Sequence, residues 1–340
     1  MERHIMLLIG LCGFLGTSAQ DLMPNIHGTV RTKYECQTEE GESRFEVRNA
    51  RISIDGELLS NVSYKAEIDL SDEGSIKMLD AYGRFKLFKD FKFTIGQMRV
   101  PFTIDAHRSP HAQYFANRSF IAKQVGNVRD VGATLSYQLP GDKIKTILEA
   151  GLFNGSGLTD QKDYWTKSIN FSGKAQFFFP SGFNVTLSIQ KVKPDDATIM
   201  MYDIGTYFEN KDWHIEAEYL YKHYGDDAYD DVHSVDAFVC YNIWLSEKAV
   251  FKKISPLVRY DFMTDHSDGM RYLDGEENTD GTLITNDYQR SRITGGLTFS
   301  LNKPFVADIR LNYEKYFYQH DGVAKTSEKD KVVVEFMLRF

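Results

Sequence analysis

The sequence predicts an all-β chain: a transmembrane antiparallel β-barrel of about sixteen strands with one long loop folded inward. Three observations predict it. Apolar and polar residues alternate with period two in runs of about ten residues, the length a tilted strand needs to cross a bilayer. The connections between the runs tend to alternate short and long. The last run, DKVVVEFMLRF, puts Val332, Val334, Phe336, Leu338 and Phe340 on one face and Lys331, Glu335 and Arg339, with Val333 and Met337, on the other. An apolar row facing outward on a closing strand makes sense when the surroundings are lipid.

Residues 1–19 read as an export signal. Arg3 precedes an apolar run over residues 5–15, and Thr17, Ser18 and Ala19 supply the small residues of a cleavage site. Cys12 lies inside the run, but Leu11 before it is bulkier than a lipoprotein signal accepts. The barrel domain is therefore expected over 20–340, exported to the bacterial outer membrane through a cleaved signal peptide. The apolar run is too short to span a membrane, which takes about 20 residues.

Strands are predicted near 26–35, 44–56, 59–71, 75–88, 91–99, 129–139, 143–153, 168–179, 183–192, 198–209, 212–223, 232–245, 252–263, 288–301, 304–318 and 330–340. Val62, Tyr64, Ala66, Ile68 and Leu70 alternate with Ser63, Lys65, Glu67 and Asp69. Leu79, Ala81, Gly83, Phe85 and Leu87 alternate with Asp80, Tyr82, Arg84 and Lys86. Tight turns at Asp90, 140–142, 180–182, Asn210-Lys211 and Asn302-Lys303 belong on the periplasmic side. The long stretches 100–128, 154–167, 224–231 and 264–287 belong outside. A soluble pair of β-sandwiches would leave this turn asymmetry unexplained.

Composition agrees. Aromatics make up 14% of the residues, while mean hydropathy is only −0.39, because a barrel hides its membrane signal in alternation. A net charge of −8 argues against a nucleic-acid partner. Cys36 and Cys240 are read as two unpaired thiols rather than a disulfide.

If the apolar rows face lipid, the intervening rows face water. Arg51, Lys65, Arg84, Arg290 and Arg292 are the basic lumen candidates, among acids such as Glu67, Asp69, Asp80, Glu216 and Glu218. Sixteen strands leave an aqueous channel. The stretch 100–128 is too apolar for a loop in solvent, with Phe102, Tyr114, Phe115, Phe120 and Ile121. Folded into the barrel, it would narrow the pore. It carries His107, Arg108, His111, Arg118 and Lys123, with Arg99 and Arg129 at its ends and Asp105 and Asp130 as its only acids. Arg99, Arg108, Arg118, Lys123 and Arg129 are the candidate constriction and anion-binding residues, since an excess of positive charge at a narrowing favours anions.

Enzyme signals are weak. There is no HExxH, GxSxG or phosphate-binding loop, and His107 with Ser109 is no catalytic spacing. No catalytic residue, cofactor or metal is expected. The acidic segment 274–281 fits a solvated outer loop or a bridge to lipopolysaccharide better than a calcium site.

The run RNARISIDGELLSNVSYKAEIDLSD at 48–72 and the run LDAYGRFKLFKDFKFTIGQMRVPF at 79–102 resemble strands of the phosphate-selective porins O and P. So do NRSF at 117–120, VGATLSY at 131–137 and EAGLFNGSG at 149–157. The resemblance implies a sixteen-stranded outer-membrane diffusion channel, a homotrimer in the lipid and lipopolysaccharide membrane, passing small anions such as phosphate. It sets Arg99, Arg108, Arg118 and Arg129 nearest the family's constriction arginines. The alternatives are an occluded structural or adhesion barrel and an outer-membrane barrel enzyme.

Overall fold

The computed structural model describes residues 23–340 except 125–127, 142, 159–160, 194–196, 274–275, 278–280 and 302–305. The signal segment, the Asn302-Lys303 turn and most of 274–281 lie outside the described residues. Sixteen strands form one closed antiparallel barrel. They are β1 (Asn25–Gln37), β2 (Ser43–Leu59), β3 (Val62–Asp72), β4 (Ser75–Phe88), β5 (Phe91–Arg99), β6 (Arg129–Leu139), β7 (Lys145–Phe153) and β8 (Asn170–Phe178). The second half has β9 (Phe183–Val192), β10 (Ile199–Glu209), β11 (Trp213–Tyr224), β12 (Val232–Tyr241, resumed at Ile243–Trp244), β13 (Phe251–Met263), β14 (Arg290–Leu301), β15 (Val306–Tyr318) and β16 (Lys331–Arg339). Each strand pairs with its sequence neighbour, and β1 pairs with β16 to close the sheet. Closure leaves no unpaired edge, the condition for a sheet to sit in lipid.

Burial follows the alternation. On β16, Val332 and Phe336 are 40% and 42% exposed, while Val333 and Glu335 are fully buried. The same exposed rows recur at Ile52 and Ile54, Ile204 and Ile215, and Leu311 and Tyr313, so the apolar rows face outward. One predicted row breaks. Leu79 is buried and Met78 faces out, because Glu67 pairs with Asp80 and Ile68 with Met78, leaving Leu79 as a bulge. Cys36, on the outward row of β1, and Cys240, buried on the inward row of β12, are both free; their opposite faces keep them apart.

The closing seam has a close contact. Gly28 and Phe340 exchange backbone hydrogen bonds of 2.8 and 3.1 Å, and a Cβ at residue 28 would overlap the Phe340 ring. Gly28→Val is expected to lower the yield of closed barrel severalfold, an overpacking penalty of about 1–3 kcal/mol at the seam. Heat-modifiable mobility on an SDS gel checks it; an unchanged folded fraction would show that the ring moves aside freely.

The lumen is not the open aqueous channel expected of the strand count. The stretch 100–124 folds inside, and its apolar residues pack with inward residues of the wall. Val100, Phe102, Ala106, Ile121 and Ala122 form one cluster with Ile199, Met201 and Leu220. Phe115 packs on Phe238, and Phe120 on Met263 and Tyr316. The strands make the cylinder, and the loop supplies a core.

Candidate pore constriction

The loop enters the barrel through a forced backbone turn. Thr103 has φ of 54°, unusual for a β-branched residue. Its N–H donates to Ser188 Oγ at 3.1 Å and its carbonyl accepts from Lys174 Nζ at 2.5 Å, so both faces of the strained residue are held by the wall. The N–H groups of Ile104 and Asp105 donate to Glu218. Asp105 then ties the loop to itself. Its carboxylate accepts from Ser119 N at 3.1 Å, Ser119 Oγ at 2.8 Å and Arg108 at 3.3 Å. Burial works against this charge, but Arg118 and Arg108 outweigh it and hold the carboxyl below the ordinary carboxylate range.

Wall arginines clamp the far side. Arg31 donates to Gln113 at 2.7 Å and to the Ala116 carbonyl at 2.7 Å. Arg259 donates to the Asn117 carbonyl at 3.1 Å and lies 4.4 Å from the Phe115 ring centre. Arg290 and Arg292 lie 4.9 and 4.7 Å from the Phe120 ring centre. Stacking of this kind is worth about 0.5–2 kcal/mol per pair.

The ten basic residues singled out from sequence fall into two sets. Arg108 is paired with Glu216 at 2.5 Å, Arg129 with Asp80 at 2.7 Å and Lys123 with Glu328. Arg51 meets Asp69 at 2.8 Å, Lys65 meets Glu67 and Asp80 at 2.7 and 2.8 Å, Arg290 meets Asp287 at 2.9 Å and Arg292 meets Asp261 at 2.8 Å. Arg99, Arg118 and Arg84 have no carboxylate partner among the described residues. Arg99 donates to the carbonyls of His107 and Arg108 at 2.7 and 3.1 Å, and Arg118 to those of Asp105 and Arg108 at 2.6 and 2.9 Å. Arg84 donates to Thr94 Oγ1 at 3.1 Å. Carbonyls satisfy the guanidinium donors without cancelling the charge. Burial pulls Arg118 down to about 10, partly offset by Asp105, so it stays charged at neutral pH.

One more arginine joins this set. Arg339 Nη1 lies 2.6 Å from His111 Nε2. Burial, then the charge of Arg339, lowers His111 to about 4, so the ring is neutral and accepts from the arginine. The alternation of β16 already set Arg339 inward, while Arg31 on β1 was not singled out. Their contacts to the loop, 82 and 228 residues away in sequence, had no local signal. His107 and Ser109 make no hydrogen bond with each other.

The packing is lopsided. On the β14–β15 side the Arg292 and Glu314 side chains are 2% and 0% exposed, whereas on β3 Lys65 is 26% exposed. A cavity of about 310 Å³ lies between the loop segment at Ser109 to His111 and the wall, lined by Thr29, Arg51, Lys65, Glu67 and Arg339. Opposite it, Glu216, Glu218 and Asp236 bring carboxylate oxygens within 4.8 Å of one another behind the loop. Positive charge without partners thus sits toward the open side, and buried acids sit behind the loop as its anchors.

A closed sixteen-stranded barrel narrowed by an inward loop is the architecture of the porin class of outer-membrane channels. A family model, phosphate-selective porin O and P, matches residues 23–177, from β1 into β8. The outer membrane channel DcaP of Acinetobacter baumannii superposes with a TM-score of 0.63 at 16% identity, over 94% of this chain and 97% of that one. The anion-selective porin from Comamonas acidovorans gives 0.61 at 11%, over 94% and 99%. OmpT of Vibrio cholerae in its trimer form gives 0.59 at 12%, over 94% and 99%. At these identities the likeness is one of fold. No curated protein matches the sequence.

Proposed function

We propose that this outer-membrane channel passes small hydrophilic solutes by passive diffusion and prefers anions, phosphate among them. The observation that carries the reading is the set Arg99, Arg118 and Arg339, guanidiniums held by carbonyls or a neutral imidazole and by no carboxylate among the described residues. Fixed positive charge at a narrowing lowers the cost for an anion to leave bulk water and raises it for a cation. The loop filters by size, and no energy source or chemical step is needed. Assembly as a homotrimer in lipid and lipopolysaccharide, and export through a cleaved signal at 1–19, complete the proposal. The trimer form of a fold neighbour supports the assembly.

The test is single-channel current in a planar bilayer under a salt gradient, with phosphate titrated into chloride. A reversal potential on the anion side, with phosphate blocking chloride current, is the expected result. Cation selectivity would discard the anion reading while keeping the channel. The tight packing of the loop favours one other reading, an occluded structural barrel, and absence of current from folded protein would promote it.

A further inference from the structure

A second cavity, of about 280 Å³, lies beside the loop's exit from the lumen, toward the end of the barrel that carries the long connections. We infer that it binds a small aliphatic hydroxy-carboxylate at a site separate from the constriction. Its wall is apolar along one side, from Val192, Ile199, Met201 and Met270. Its other sides are polar, with Gln124, Asp130, Asn170, Gln190, Lys222 and His266, and two of these leave hydrogen-bonding groups open to a small ligand.

Gln124 is the first of them. It is 1% exposed, and neither its Oε1 nor its Nε2 has a hydrogen-bond partner. Unpaired at both ends among the described residues, a buried amide is costly, and a ligand that both donates and accepts, such as a hydroxyl, relieves it. Lys222 is the second. Its ammonium is buried and has three donors, of which two go to His266 Nε2 at 2.9 Å and the Ser267 carbonyl at 2.6 Å. Among the described residues no carboxylate lies within ion-pair distance of it; Asp268 and Asp287 act on it only at longer range and the Tyr224 ring centre lies 5.0 Å away, so a third donor remains for an anionic oxygen.

The two acids on the wall do not compete. Asp130 is taken up by the N–H groups of Val131 at 2.7 Å, Gly155 at 2.7 Å and Gly157 at 3.2 Å. Asp268 is exposed and accepts from Met270 N at 3.0 Å. Lys123 at the rim is held by Glu328. Asn170, Gln190 and His266 also line this space, and the two groups with the largest unmet demand are the Lys222 ammonium and the Gln124 amide, set against a short apolar wall. A carboxylate for Lys222, a hydroxyl for Gln124 and a few methylenes between them satisfy all three.

The experiment is calorimetric titration of the folded, detergent-solubilised barrel with 3-hydroxybutyrate, with butyrate (no hydroxyl) and 1,3-butanediol (no charge) as matched probes. Saturable binding of 3-hydroxybutyrate is expected in the millimolar range. Butyrate and the diol should bind at least tenfold more weakly. Gln124→Leu should bring 3-hydroxybutyrate down to the level of butyrate, and Lys222→Met down to the level of the diol, while Arg118→Gln leaves binding unchanged. Heat-modifiable mobility confirms that each variant is folded, and Gln124→Leu alone decides if Lys222→Met is not. Three results overturn the inference: no saturation with the unaltered protein, equal binding by Gln124→Leu, or loss of binding in Arg118→Gln, which would move the ligand to the constriction.

Discussion

Replacing Arg99 and Arg118 together by glutamine is expected to lower the anion-over-cation permeability ratio by about tenfold while leaving single-channel conductance close to its original size. Glutamine keeps an N–H donor for the loop carbonyls, so the substitution removes charge with little change of shape. Two unit charges about 8 Å apart interact by roughly 1–2 kcal/mol at an effective dielectric constant of 20–40, and salt screens part of that. Losing two such charges therefore moves the ratio by about an order of magnitude rather than by a few percent. Reversal potentials at low and high salt check it, and the difference should shrink as salt rises. A ratio that does not move would mean that selectivity is set elsewhere, with Arg84 and Arg339 the next candidates.

Replacing Asp105 by alanine should release the loop without opening the barrel. The carboxylate accepts two buried hydrogen bonds from Ser119 and a partly buried one from Arg108. Its removal breaks the pair with Arg108 and costs the loop about 3–5 kcal/mol, the usual penalty for breaking a buried charge pair. That raises the population of loop-open states by about a hundredfold or more. Open-channel noise and mean conductance should both increase, and trypsin should cut at Arg108 or Arg118, where the unaltered protein resists. The strands lose no ladder hydrogen bond, so heat-modifiable mobility should not change. If trypsin resistance and conductance stay as they were, the wall arginines Arg31, Arg259 and Arg292 hold the loop by themselves.

The strand inventory was legible because a membrane barrel writes its inside and outside in alternate residues. Every predicted run of β1 to β16 lies on an observed strand. Leu79 shows the limit: a bulge shifts the phase by one residue, and nothing local to Leu79 announces it. The inward loop was legible from Phe115, Phe120 and Ile121, residues too apolar for solvent. What could not be read was which charges cancel. Arg108 and Arg118 are both arginines of one loop, yet one lies against Glu216 and the other against carbonyls. That difference depends on β11 approaching the loop from 108 residues away. Strand count fixes the width of the cylinder, but only tertiary packing says how much of it the loop fills.

The lopsided packing divides the inner wall into two territories with different tolerance to change. On β11 to β16 the inward residues belong to the interior, and a substitution there answers to loop anchoring and core packing before it reaches transport. On β2 to β4 the inward residues border open space, so Arg84, which donates to Thr94, can vary in charge at little structural cost, while Arg51 and Lys65 stay tied to Asp69, Glu67 and Asp80. A lineage of such channels would keep the first territory nearly fixed and rewrite the second, changing what crosses the membrane without rebuilding the molecule that lets it through.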